Sequence, residues 1–217
     1  MALSIIANDD KKVTCPICWE ETTVGQLKAL YEAAVDLTPV KVFSILTGTN
    51  FTELMQSNRE DLDAAIYQYT SFFYNQKQTF REKEVPAAIK LRGRLIMIPK
   101  KIASLSIAQN FYMRQVLSKA PCLEAEIAMA VAVFLQPMIS EDGKFDVDQV
   151  KQLEAEILTM NVYDIFPTGF FLLKRLNDSG SIGIRFWLAR TLQKIKRWLR
   201  SQKRPASRDL TRSTNYQ

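Results

Sequence analysis

Histidine is absent from this sequence. Its absence removes the commonest general base, the commonest metal ligand and every His-based triad. Glycine is scarce, with seven residues, and no phosphate-cradling GxGxxG or GxxxxGK[ST] loop can be traced. No apolar run reaches the roughly 18 to 20 residues of a spanning helix. The longest, Ile127 to Leu135, is closed by Glu126 and Gln136, so the sequence predicts no membrane span. Residues 1 to 10 lack a basic stretch followed by a long apolar one, which predicts no export signal and a thiol-reducing setting. Cysteine occurs three times. Cys15 and Cys18 form one C-x-x-C, but Cys122 stands alone, so one chain cannot complete a tetrahedral Cys/His zinc site. A redox role would place the pair at the mouth of a helix. Here Pro16 and Ile17 separate the thiols after a strand-like segment, and burial as small apolar side chains is the preferred reading.

What is present is an ordinary foldable composition, 47% hydrophobic and 24% charged over 217 residues, enough for a core without metal or disulfide staples. Charge is unevenly placed. Residues 1 to 184 carry 19 Lys or Arg against 22 Asp or Glu, while residues 185 to 217 carry 10 against Asp209 alone. The total of +6 therefore describes the C-terminal extension and not the body.

The body reads as two copies of one pattern. Val13 to Gln26 lies over Ile96 to Gln109 at a constant offset of 83, matching Pro16 with Pro99, Gln26 with Gln109, Thr23 with Ser106, and Val13, Trp19 and Val24 with Ile96, Ile102 and Ile107. Cys15 falls on Ile98, and Ile6 on Ile89. Downstream, each half continues with an apolar helix, Pro39 to Leu46 and Glu126 to Leu135, then an acidic helix, and closes on paired aromatics, Phe72-Phe73 and Phe170-Phe171. The predicted architecture is α+β and mostly helical. Two tandem related units, 1–83 and 84–176, each hold a short β-hairpin followed by helices. A basic amphipathic helix over 177–204 and a polar basic tail over 205–217 follow.

Local signals place the elements. Ala88 to Leu91 and Leu95 to Ile98 read as strands around Arg92-Gly93-Arg94, with Gly93 able to take positive φ. Pro99 removes a ladder donor and ends the hairpin. Thr22 or Thr23 in the first unit and Ser106 in the second are helix N-caps. Leu27, Leu30, Tyr31 and Ala34 form an apolar face, with Lys28 and Glu32 opposite. Thr38-Pro39 opens a helix that Gly48 stops. Thr52 caps Glu53 to Ser57, Asn58 with Asp61 caps Asp61 to Asn75, and Asp146 caps the helix carrying Val150, Leu153 and Ile157. Trp19 is expected in the core, and Gln26 and Gln109 are expected to support turns and caps.

The residues Trp19 to Gln26, Ile45-Leu46-Thr47-Gly48 and Asp61-Leu62 through Phe72-Phe73 resemble small tail-assembly-chaperone-like proteins of tailed bacteriophages. Ile98 to Gln109, Ile127 to Pro137 and Tyr163 to Phe166 are similar to proteins of phages infecting Bacteroidetes, including the crAss-like group. The resemblance covers about residues 1 to 175. It implies a non-enzymatic protein with no cofactor, part of the head-to-tail or tail apparatus. One version is retained in the virion as a connector, ring or cargo component. The other is a transient chaperone in the host cytoplasm during assembly. Its implied partners are tail, neck or portal-region proteins, in an oligomeric assembly.

From Ile184, apolar Trp187, Leu188, Leu192, Ile195 and Leu199 recur at helical spacing. The candidate partner-binding residues are interleaved with them: Arg185, Trp187, Arg190, Lys194, Lys196, Arg197, Trp198, Arg200, Lys203 and Arg204. Three occupants suit such a helix. It can dock on the body or a neighbouring subunit, lie on an anionic membrane surface, or neutralise DNA phosphates or an acidic partner. The carboxylate pairs Glu20/Glu21, Asp61/Asp63 and Glu154/Glu156 point apart on helices and are not expected to converge. Glu141 to Lys144 reads as a turn with solvated charges.

Overall fold

A computed structural model of the chain describes residues 3–6, 12–55, 60–98 and 105–178. The chain divides into compact units of 1–175 and 176–217. Among the described residues the first unit is mostly helical, with two small antiparallel hairpins. Strands β1 (Leu3–Ile6) and β2 (Lys12–Cys15) pair Ile5 with Val13, and helices α1 (Val24–Glu32), α2 (Pro39–Thr47), α3 (Phe51–Met55) and α4 (Glu60–Tyr74) follow. Then β3 (Ala88–Leu91) pairs with β4 (Arg94–Met97), and α5 (Ile107–Lys119), α6 (Ile127–Ile139), α7 (Val147–Leu158) and α8 (Val162–Asp178) follow.

The second hairpin turns tighter than its sequence pattern predicts. Arg92 and Gly93 both take positive φ, 50° and 73°, the requirement of a two-residue turn whose twist matches the strands. Arg94 therefore pairs with Leu91, and β4 starts one residue earlier than expected. Alternation puts Ile89, Leu91 and Ile96 inward and leaves Leu95 and Met97 exposed. Val13 and Cys15 of β2, like Ile96 and Ile98 at the offset of 83, are buried. Pro99, at the predicted end of the hairpin, lies outside the described residues.

Both hairpins lead into the same device. Thr23 Oγ1 accepts from Gln26 N–H at 3.2 Å while Gln26 Oε1 accepts from Thr23 N–H at 2.7 Å. Ser106 and Gln109 repeat this reciprocal pair at 3.2 and 2.9 Å, satisfying amides that a helix start otherwise leaves open. Each glutamine then donates Nε2–H to a later helix: Gln26 to Leu46 O of α2 at 2.7 Å, Gln109 to Val133 O of α6 at 2.8 Å. Thr23, not Thr22, is the cap; the Thr22 hydroxyl donates to Trp19 O.

Other boundaries follow equally local chemistry. Thr38 caps α2 ahead of Pro39, Gly48 ends it at φ 70°, and Asp146 caps α7. Helix α3 is opened by Asn50, whose Oδ1 accepts from Thr52 N–H at 2.9 Å. Thr52 was the expected cap, but Asn50, whose carboxamide reaches one atom further than a threonine hydroxyl, takes that amide from two residues earlier; α3 is described over Phe51–Met55. Asn58, Ser57 and the rest of that predicted junction lie outside the described residues, and α4 runs from Glu60 to Tyr74. The apolar helix extends to Ile139, past its predicted end at Leu135, and holds Pro137 near its C-terminus.

The core is organised by a chain of aromatic rings. Trp19 packs on Phe73 with centroids 4.6 Å apart and on Phe80 at 5.6 Å, and Phe80 packs edge-on against Phe166 at 4.6 Å. Each such pair contributes about 0.5–1.5 kcal/mol beyond its buried area. Phe80 belongs to the connector between the two hairpin-plus-helices segments, so the segments share one core. Gly169 of α8 allows the closest approach: a Cβ there would meet Ile127 Cγ2 of α6 at 2.5 Å.

Candidate functional site

The predicted partner-binding residues, Arg185, Trp187, Arg190, Lys194, Lys196, Arg197, Trp198, Arg200, Lys203 and Arg204, lie outside the described residues, as does the whole basic stripe. Candidate surfaces are accordingly those of the body.

The structure places the singled-out aromatic and thiol groups inside. Trp19 is buried and donates Nε1–H to Gln76 O at 3.3 Å, which removes its ring from any stacking surface. Cys15 is buried at the end of β2 and Cys18 is half-buried. The backbone around them is pinned: Tyr69 O–H donates to Pro16 O at 2.9 Å, and Ile17 N–H donates to Glu21 Oε2 at 2.9 Å. Cys122 is buried, and burial pushes its thiol up to about 12, which leaves it a poor nucleophile at neutral pH. Among the described residues no group of three or more Cys, Asp or Glu could hold a metal ion, and no helix is long and apolar enough to cross a membrane.

The acidic pair Glu154/Glu156 separates as its spacing predicts. Glu154 reaches Lys28 of α1 at 2.9 Å, whereas Glu156 takes Arg92 of the hairpin turn through N–H and Nε–H at 3.0 and 3.1 Å. Asp142 accepts from Ser140 Oγ–H and Lys144 N–H in an exposed turn around Gly143, φ 66°. Lys28 departs from expectation. It sits largely covered between α1 and α7 and not on a solvated face. Burial would lower its pKa, but the hydrogen bond to Glu154 and the charges of Glu154, Glu126 and Glu32 outweigh that and raise it. Glu126 in turn is raised by burial, with Glu154 and Glu32 adding to the rise and Lys28 opposing it.

That ion pair is one side of a dense junction between two helix starts. Val24 N–H, at the start of α1, donates to Met160 O at 2.9 Å, and Val162 N–H, at the start of α8, donates to Thr22 O at 3.0 Å. Two short extended segments thus satisfy each other's open amides through a single antiparallel bridge, Thr23 to Asn161. Asn161 caps α8 by accepting from Tyr163 N–H at 2.8 Å and donates its side-chain amide to Glu20 O. Gly25 lies so close that a Cβ would sit 2.9 Å from Leu158 O. Apart from the local Asn161 cap, none of these contacts is announced in the sequence, because each spans more than 120 residues. The signal available was Gly25, a glycine in the first turn of a capped helix, where it costs helix stability unless something lies close.

The corresponding start of α5 is bare. Ile107 stands where Val24 does but is 90% exposed against 3%, and Phe111, in the place of Lys28, is 71% exposed. Leu95 and Met97 on the outer face of β4, and Phe51 and Met55 on α3, are exposed as well. Ile107 and Phe111 occupy one helical face, turned away from buried Gln109, Met113 and Leu117. They form a small exposed apolar pair at the start of α5.

Two open depressions lie elsewhere. One lies between α1 and α2 along Gly25, Ala29, Ser44 and Thr49. The other is a polar groove where Arg92 and Arg94 meet Glu141, Asp142 and Gln152. Compared with family models, with curated proteins and with solved structures, the chain finds no match.

Proposed function

We propose that this chain is a non-enzymatic structural or assembly protein of a tailed bacteriophage, built from two tandem related units, that works through protein contacts. The observation that carries the tandem reading is the repeated device after each hairpin: Thr23–Gln26 and Ser106–Gln109 capping boxes whose glutamine amides tie down Leu46 O and Val133 O. Buried Cys15 over buried Ile98, and buried Val13 over buried Ile96, agree with it. In this reading the matched residues serve packing, and Ile107, Phe111, Leu95 and Met97 present apolar surface outward. The phage assignment rests on the resemblance carried by Trp19 to Gln26, Ile45 to Gly48 and Tyr163 to Phe166.

The leading version is a virion component of the head-to-tail or tail region. Its basic C-terminal extension, +9 net over residues 185 to 217, is complementary to DNA or to an acidic partner. The second version is a chaperone that covers a tail protein and leaves, for which exposed Ile107 and Phe111 are equally suited. Quantitative mass spectrometry of purified particles decides between them. A component is present at fixed copy number, and a chaperone is found in infected cells but not in particles. Absence from both would overturn the phage reading. A nucleic-acid role for the extension predicts binding that weakens steeply with salt in a full chain and disappears in a chain ending at residue 184.

A further inference from the structure

We infer that the open edge of β4 pairs with the same edge of a second copy, joining the two β3–β4 hairpins into one four-stranded antiparallel sheet across a two-fold axis at Ile96. The hydrogen-bond phase of the hairpin fixes which groups are open. Ile98 N–H donates to Ala87 O at 2.8 Å, and the strands pair Ile89 with Ile96 and Leu91 with Arg94. Bonded pairs alternate with non-bonded ones along an antiparallel ladder. Ile96 and Arg94 therefore turn their backbone groups towards β3, and Leu95 and Met97 turn theirs away. Among the described residues the sheet ends at β4, and no partner meets these outward N–H and C=O groups. The same two residues hold large apolar side chains in water, Leu95 at 69% and Met97 at 61% exposure. An apolar edge of this kind is a template for another strand, and proteins ordinarily blunt it with a lysine, a proline or a bulge. The first hairpin differs in sequence: the offset of 83 sets Lys12 and Thr14 where Leu95 and Met97 stand.

The occupant is a second copy because the edge is its own complement. Turned about a two-fold axis at Ile96, Leu95 faces Met97 of the second copy and Met97 faces Leu95, so each outward N–H donates to an outward C=O and none is left over. The side chains agree with the backbone. Leu95 lies beside Met97 on the outer face, an apolar pair repeated by the symmetry, and Ile96 lies beside Ile96 on the inner face. Arg94 comes opposite Ile98, so no like charges are opposed. Slips of register are penalised on both sides. Sliding by two residues one way brings Leu95 opposite Pro99, which has no N–H to give; sliding the other way brings Met97 opposite Gly93, whose φ of 73° has left the strand. The contact is isologous and stops at two copies. A ladder this short buries little area, in the range of weak, transient association below about 1,200 Å². Only the second hairpin takes part, so the phage reading can fail without touching the contact.

The test is sedimentation velocity of the full chain from about 1 μM to about 0.5 mM, a range that reaches weak contacts. The mean mass is expected to rise from monomer to dimer and no further. As the dimer fills, the Leu95 and Met97 amides should exchange their protons more slowly, a reading taken on wild-type protein that needs no variant. L95K/M97K sets lysine opposite lysine and should stay monomeric with the circular dichroism and melting temperature of dilute wild type, as should L95E/M97E. Mixed in equal amounts at low salt, the two should form a one-to-one dimer. L95K/M97E sets lysine opposite glutamate at both positions, so it should dimerise with itself at low salt and come apart at high salt. Were Leu95 to face Leu95 instead, this variant would bring like charges together and stay monomeric. A wild-type chain that stays monomeric, a dimer that survives L95K/M97K, or an L95K/M97E chain that is monomeric at low salt would each overturn the inference. Unchanged exchange at Leu95 and Met97 in a dimer would move the contact off this edge, and growth past the dimer would remove the two-fold axis.

Discussion

The starts of α1 and α5 carry the same capping box, and the same glutamine ties each to a later helix, yet they meet different surroundings. The first is closed on by the α7–α8 turn, with its amides, a glycine and a lysine all engaged. The second presents an isoleucine and a phenylalanine to water. The cap is a property of four consecutive residues, so it recurs wherever they do. What lies against the helix depends on chain more than 100 residues away, and there the two helix starts part.

The largest expected effect comes from placing a carboxylate at both helix starts. Val24→Asp buries an unpaired charge and should cost about 3–5 kcal/mol, read as a fall in the denaturation midpoint. Ile107→Asp should stay within about 0.5 kcal/mol of wild type. Equal losses would mean that the start of α5 is covered.

Next is the cation. Lys28→Met leaves Glu154 enclosed without its partner and should cost about 1–3 kcal/mol, while Phe111→Lys should be near neutral. Lys28 is held above its ordinary pKa, so the folded chain retains this proton more tightly than the unfolded one. Its contribution is complete below about pH 10.4 and is lost as pH rises through the folded value. Wild type should therefore lose more stability than Lys28→Met on titration into that alkaline range.

Gly25→Ala drives a methyl group to 2.9 Å from Leu158 O and should cost about 1–3 kcal/mol by overpacking. Ala108→Gly, on the bare helix, should cost only about 0.5–1 kcal/mol through backbone entropy. A stabilised Gly25→Ala variant, gaining helix propensity without a clash, would show that the junction yields.

The smallest effect is at Glu126, whose carboxyl is raised by burial and by Glu154 and Glu32. A raised folded pKa favours the protonated form, so stability is lost as pH rises through the carboxylate range. Glu126→Gln should be slightly more stable than wild type at neutral pH, and the difference should vanish below about pH 4. Chemical denaturation at the two pH values measures it.

Much of the fold was legible because its signals are short-range. Thr23, Ser106, Thr38-Pro39, Gly48, Asp146 and Gly93 act on residues within one turn of themselves, and each stands where the sequence places it. The slips were of the same range: Asn50 outreached Thr52, and positive φ at Arg92 shortened a turn. Less legible were groups whose partners are distant. Gln136 reads as the polar end of an apolar run, yet it is buried, donates to Lys144 O and Gln149 Oε1 at 3.1 Å and accepts from Asp146 N–H at 3.1 Å, fixing the α6–α7 loop. Gly169 reads as a poor helix former and is a point of helix contact. Lys28 reads as solvated and is the cation of a half-enclosed acidic group.

By itself the chain's order of residues determined the hairpins, the caps, the helix sequence and the recurrence at an offset of 83, because hydrogen bonding within a turn and alternation along a strand need no distant partner. Only the tertiary structure decided which of two matched helix faces is covered. Apolar and charged side chains look alike at both sites until the packing of a remote helix end removes one of them from water.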